Sequence, residues 1–193
     1  LQSLRLQTDR IDLYQVHWPD RHLPLFGETV FDASKKRSDA VAIEETAAAM
    51  RDLIEAGKVR YIGLSNESPL GVAQWVQACE KLGIRDKLAT IQNSYSLLDR
   101  RFEGDLAETC DFYKIGLLPW SILAGGVLSG KYSSKNADKP LDGARYSAHP
   151  EFMSRWSPVT AKSQTLDAVD AYSEIAEQVG MTPAQLAVEF ARS

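Results

Sequence analysis

An apolar run of strand length followed by a helical pattern recurs four times along this chain, and that alternation constrains the fold most. Ile11–Val16, Val59–Leu64, Leu88–Tyr95 and Leu117–Trp120 read as strands: short, apolar or β-branched, and bounded by turn formers. Val41–Ala56 reads as a helix, with Ile43, Ala47, Met50 and Ile54 on one face and Gly57 as a left-handed cap. Ser68 and Pro69 open a second helix, whose buried stripe is Val72, Trp75, Val76, Cys79 and Leu82, closed by Gly83. A third lies near Gly104–Lys114, ended by Gly116. After the fourth strand comes the irregular segment Ser121–Ser163, rich in Gly, Ser and Pro. Leu166, Val169, Ile175 and Val179 then mark an amphipathic helix closed by Gly180, and Thr182-Pro183-Ala184-Gln185 forms a capping box that opens the last one. Leu1–Leu6 and Phe190–Ser193 both read as pieces of helix, so the chain is expected to be a segment of a longer protein. Strand–helix alternation implies parallel strands joined by right-handed crossovers. Both a (β/α)8 barrel and a doubly wound sheet satisfy it; four units are half a barrel.

In either architecture the carboxyl ends of the strands carry the chemistry. Here those ends are polar. The first strand stops on His17-Trp18-Pro19-Asp20, where Pro19 removes a ladder donor. The second ends on Ser65-Asn66, the third carries Gln92-Asn93, and the fourth ends on Trp120-Ser121. Each has a plainer reading: a hydrogen-bonded histidine, a turn pair, a core tryptophan. Gln92 is harder to explain that way, because an amide in an apolar strand must find partners. Four polar ends on consecutive strands point to a site. The following loop adds Gly125-Gly126, Gly130-Lys131-Tyr132 and Arg145, glycines and cations of the kind that receive an anion, but not at P-loop or Rossmann spacing. Asp99-Arg100-Arg101 reads equally as structural or as a gate at the mouth.

Other functions lack residues to carry them. The net charge is −4, and Lys35-Lys36-Arg37 sits in a polar stretch read as solvated loop, so no nucleic-acid or membrane patch is expected. No apolar run has the length of a membrane span. His17, His22 and His149 have no metal-ligand spacing, and no Gly-x-Ser-x-Gly elbow occurs. Cys79 and Cys110 fall on helices and read as reduced thiols.

Four stretches, LYQVHWPD, GKVRYIGLSNES, TIQNSYSLLDRR and LPWSILAGGVLSGKY, resemble the aldo-keto reductases in that order and spacing. The likeness covers essentially the whole chain, residues 1–193, and is strongest to the Tas-like branch, near the potassium-channel β-subunit branch. It implies an α/β fold, a (β/α)8 TIM barrel of which this chain covers roughly the second half, as strands four to seven. It implies NADPH as cofactor and a small-molecule carbonyl substrate, reduced by hydride transfer. By the resemblance, His17 orients and polarises the carbonyl, and Trp18 lies beside the substrate pocket. Ser65, Asn66 and Gln92 hold the nicotinamide carboxamide, and Trp120 stacks on its ring. Ser121, Leu123 and Gly125 wrap the pyrophosphate, Lys131 contacts a phosphate, and Arg145 is similar to a cofactor-loop arginine. Ser133–Pro158 is the expected clasping loop. The tetrad's Asp, Tyr and Lys match no residue here, and none of the seven tyrosines sits in the family's acid-tyrosine motif. An NADPH-binding regulatory module and an inactive truncated product are the alternatives to an enzyme segment.

Overall fold

A computed structural model describes residues 6–24, 28, 30–132, 143–148 and 164–192. They form two compact units. The first holds residues up to Asn93 together with Phe102–Leu118; the second holds Ser94–Arg101 and the residues from Pro119 onward.

The first unit is a parallel sheet with helices on it. Strands β1 (Ile11–Val16), β2 (Val59–Ser65), β3 (Leu88–Gln92) and β4 (Gly116–Leu117) lie in the order β1-β2-β3-β4, all parallel. The order is that of the sequence, with no reversal of the kind that marks a doubly wound switch point. Helices α1 (Ile43–Glu55), α2 (Pro69–Lys81) and α3 (Asp105–Tyr113) are the crossovers. Their apolar stripes meet Ile62, Leu64, Leu88 and Ile91 in one core, with Ala47, Met50, Val72, Trp75, Val76, Cys79, Leu106 and Cys110. The opposite face of the sheet carries Leu13, Gln15, Gly63 and Thr90. Gly63 is needed there, because a Cβ on it would come 2.5 Å from Thr90 Oγ1 and 3.1 Å from Gln15 Cγ. Among the described residues β1 pairs on one edge only. An open groove of about 710 Å3 borders it, lined by β1 itself, His17, Leu6, and Thr46 and Met50 of α1.

Local signals in the sequence place most boundaries. Ser68 Oγ accepts from Gly71 N at 3.2 Å, and Pro69 is the first residue of α2. Gly57, Gly83 and Gly180 have φ near +70°, as helix-ending glycines. The third helix is a correction. Gly116 does not end it; Lys114 takes the left-handed conformation instead (φ 54°), and Ile115 N bonds back to Cys110 O at 2.9 Å. Burying Ile115 in the core sets the turn ahead of it, which frees Gly116 to enter β4 opposite Thr90. The fourth strand is also shorter than expected. Regular pairing stops at Leu117, before Pro119, and Trp120 returns only as an isolated bridge to Ser94.

The second unit has a core of Ala124, Val127, Leu128, Tyr132, Val169 and Ala187. It contains helices α4 (Gln164–Gln178) and α5 (Pro183–Arg192), a single helical turn at Arg145–Ala148, and tight turns across Ala124–Ser129. The capping box before α5 is reciprocal: Thr182 Oγ1 accepts from Gln185 N at 3.2 Å, and Gln185 Oε1 accepts from Thr182 N at 2.8 Å. The stripe expected on α4 is corrected. Val169, Tyr172 and Ala176 face the core, while Ile175 and Val179 are exposed. The helical period turns Ile175 away from the face that holds Val169, Tyr172 and Ala176, and Val179 lies beyond Gln178, where the helix ends.

Candidate functional site

In the first unit the ends of three strands are joined by hydrogen bonds. Ser65 Oγ donates to Gln92 O at 2.8 Å, and Asn66 N donates to the same carbonyl at 3.1 Å. Asn66 Nδ2 donates to His17 O at 3.0 Å and to Ser65 Oγ at 3.0 Å. Parallel register makes this possible, since Val16 stands beside Leu64 and Ser65 beside Gln92. Asn66 sits in the left-handed region (φ 57°), which turns its amide back toward β1. The structure therefore brings together four of the sequence-selected residues. His17 and Trp18 are exposed, with ring centroids 4.8 Å apart. Gln92 contributes its carbonyl to the network and keeps its half-buried side-chain amide out of it. Asn93 donates to Glu67 O at 3.0 Å, while its own Oδ1 is buried without a hydrogen-bond partner.

Sequence reasoning missed one pair. Arg21 Nη1 donates to Glu67 Oε1 at 2.8 Å and Arg21 Nη2 to Glu67 Oε2 at 2.6 Å, a bidentate ion pair. Arg21 Nη2 also donates to Ser68 Oγ at 3.0 Å, and Ser68 N donates to Glu67 Oε2 at 3.0 Å. Glu67 is directly after the polar pair Ser65-Asn66, which was the available signal. Nothing local connects it to a residue 46 positions earlier.

In the second unit the expected phosphate loop is shaped by its backbone. Ser121, Ala124, Gly125, Gly126 and Gly130 all have positive φ. Ala124 N donates to Ser121 O at 2.7 Å, and Gly126 N to Leu123 O at 2.8 Å. Leu123 packs its side chain against the core and contributes carbonyl turns. A Cβ on Gly126 would come 3.2 Å from both Cε and Nζ of Lys131, so the glycine lets the ammonium lie against the loop. That ammonium stands 5.1 Å from the centre of the Tyr132 ring. Trp120 is half-buried, and its carbonyl accepts from Tyr95 N at 3.3 Å. Arg145 is exposed at the start of its helical turn. Most of the expected clasping loop, residues 133–142 and 149–158, lies outside the described residues.

Asp99 is structural. It is 6% exposed, accepts from Ser94 Oγ at 2.6 Å and from Arg101 Nε at 2.8 Å, and closes a turn with Ser96 by two backbone bonds. This turn supports the Ser94–Trp120 bridge. The two cysteines are buried and free, and burial pushes each thiol up to about 11. Among the described residues no cluster of His, Cys, Asp and Glu could hold a metal ion, and no helix is long and apolar enough to cross a membrane.

The model of the Aldo/keto reductase family matches residues 2–193. Protein tas of Escherichia coli is 43% identical over 188 residues, 97% of this chain and 51% of that protein. A putative voltage-gated potassium channel subunit beta of Schizosaccharomyces pombe is 30% identical over 185 residues, 95% of this chain and 47% of that protein. The structure of a glycerol dehydrogenase from Gluconobacter oxydans superposes with TM-score 0.64 at 29% identity, covering 98% of this chain and 48% of that one. The chain thus spans about half the length of the relatives it matches. These likenesses resolve what the strand order left open: the fold class is the (β/α)8 barrel, and the four parallel strands are part of one.

Proposed function

Because this chain belongs to the aldo/keto reductase family, we propose that the protein it represents reduces small carbonyl compounds with NADPH, and that the chain supplies part of the site. The observation that carries this reading is the strand-end network, in which Asn66 bonds both His17 O (3.0 Å) and Gln92 O (3.1 Å). Such a network ties the backbone of His17 and Gln92 to Ser65 and Asn66, so that residues bearing an imidazole, a hydroxyl and two amides, the groups needed beside a carbonyl and a carboxamide, stand at adjacent strand ends. The residues fit the cofactor in kind. The Asn93 Oδ1 atom is buried without a partner, and the Gln92 amide is not spent on the network. In the second unit, the missing Cβ of Gly126 leaves Lys131 lying against a loop of left-handed residues, a form suited to phosphate.

When bound, NADPH supplies the hydride that adds to the carbonyl carbon. His17 hydrogen-bonds the carbonyl oxygen and orients it, while Trp18 presents an apolar wall beside it. Ser65, Asn66 and Gln92 would hold the carboxamide by hydrogen bonds. Trp120, in the second unit, would offer the cofactor a flat aromatic surface. Ser121, Leu123, Gly125, Lys131 and Arg145 serve the phosphates through backbone amides and positive charge. The proton donor is not assigned to any tyrosine of this chain. Orientation by hydrogen bonding at a reacting carbonyl is worth about a hundredfold in rate. His17→Ala in the intact protein is therefore expected to lower turnover about that much with little change in NADPH affinity. Equal loss of both would refute the role given to His17.

The likeness to a channel β-subunit favours a second reading, an NADPH-binding regulatory module. A fluorescence titration of the intact protein with NADPH, alongside assays on a panel of aldehydes and ketones, separates the two. Binding with turnover supports the reductase; binding without turnover on any carbonyl supports the module.

A further inference from the structure

We infer that Arg21 and Glu67 are positioning residues: their ion pair locks the segment after β1 to the segment after β2, and so fixes His17 relative to Asn66. This rests on the roles proposed above for those two residues. Two of the links between the segments bear on His17 and Asn66. One is the hydrogen bond from Asn66 Nδ2 to His17 O at 3.0 Å. The other, four residues beyond His17 and one beyond Asn66, is the bidentate pair with N···O distances of 2.8 and 2.6 Å. A single amide-to-carbonyl bond leaves rotation about itself; a planar two-point fork adjacent to it removes that freedom.

The surroundings are built for the pair. Glu67 is 3% exposed and Arg21 26%. Every oxygen of the Glu67 carboxylate is occupied: Oε1 by Arg21, Oε2 by Arg21 and by Ser68 N. Ser68 Oγ, which caps α2, also accepts from Arg21 Nη2 at 3.0 Å. The Glu67 carbonyl accepts from Asn93 Nδ2, which carries the constraint on to the end of β3. The clearest sign is Gly71. It stands in the first turn of α2, where alanine would favour the helix more. A Cβ there would overlap Glu67 Oε2 and Arg21 Nη2. The helix forgoes a side chain at the one place where a methyl group would part the two charges.

The test is NMR on the intact protein, following hydrogen exchange of the Asn66 side-chain amide and the ring signals of His17. Two variants perturb the pair from opposite sides. Glu67→Gln keeps the shape and removes the charge, leaving an arginine that reaches solvent. Gly71→Ala keeps both charged residues and improves the helix. In both, exchange at Asn66 Nδ2 should accelerate about tenfold or more and the His17 ring signals should shift, while backbone amides inside β1–β3 keep their protection. Unchanged Asn66 and His17 signals in either folded variant would overturn the inference. So would a uniform loss of protection throughout the sheet, which would make the pair an ordinary stabiliser. Neither readout involves NADPH. An NADPH titration of the wild-type protein, run in parallel, bears on the proposed function alone.

Discussion

The two units hold their candidate functional groups by different means. In the first, they sit at strand ends and are tied by bonds from side chains to backbone: Ser65 to Gln92, Asn66 to His17, Asn93 to Glu67. In the second, the loop from Ser121 to Gly130 holds its own shape through five left-handed residues and short backbone turns. A parallel sheet supplies register, so residues far apart in sequence arrive side by side and short polar side chains suffice to join them. A loop without strand partners must encode its path in φ and ψ, which demands glycine at Gly125, Gly126 and Gly130. Ser121 and Ala124 carry the same conformation at about 1–2 kcal/mol each, offset by the 2.7 Å bond between them and by burial of Ala124.

Perturbations that reach one unit and spare the other test this contrast. The largest effect is expected from Leu64→Ala. Leu64 is fully buried under the helices of the first unit, and its loss should cost about 2–5 kcal/mol in urea unfolding. If the units unfold independently, the second unit's signals keep their own midpoint. Alkali should also act on the first unit, because it contains both cysteines. Burial raises each thiol from 9.0 to about 11, so the unfolded chain releases its protons first. The contribution of the two thiols to stability is fully present below about pH 9 and is lost as pH rises toward about 11. Replacing Cys79 with Ala should remove about 2–3 kcal/mol of that alkaline loss, measured as the difference between unfolding at pH 8 and pH 11.

Gly126→Ala asks the same of the loop. Its φ of 100° suits no side chain, and the new methyl meets Lys131, so a loss of about 1–3 kcal/mol is expected. Phosphate-dependent protection of the Lys131 amine against acylation should vanish with it. At Asn66, alanine and glycine separate conformation from bonding. Glycine keeps the left-handed turn and loses the side-chain bonds, those to His17 O and Ser65 Oγ among them, for about 1 kcal/mol; alanine also strains the turn and should cost about 1 kcal/mol more. A similar cost for both would mean the side-chain bonding, and not the turn, holds the strand ends together. The smallest effect is expected at Thr182→Ala, which opens one capping box on the second unit for about 1 kcal/mol, read by thermal unfolding.

Local signals carried much of this structure in the sequence. Ser68-Pro69, Thr182…Gln185 and the glycines at 57, 83 and 180 act through bonds to residues within a turn of themselves, so their geometry is implied by the residues alone. The parallel order of strands followed from the same reading, as did the polar strand ends at His17, Ser65, Asn66 and Gln92. The motif resemblance extended this to the family and the barrel. Gly116 misled because glycine after a helix is a common stop, yet core burial of Ile115 outweighed it and placed Lys114 in the left-handed turn. Ile175 misled because helical spacing predicts a stripe without saying which stripe meets a core, and Val179 because the helix ends one residue before it.

The sequence by itself determined the order of the elements, where most of them stop, and which polar residues stand at the strand ends. These depend on backbone conformation and on neighbours a few positions away. Only the tertiary structure decided that Arg21 meets Glu67, that Asp99 is buried to brace Ser94, and that Gly71 stays bare to admit two charges. Such pairings depend on the register of strands and on the space left between packed elements. Neither exists until the chain has folded.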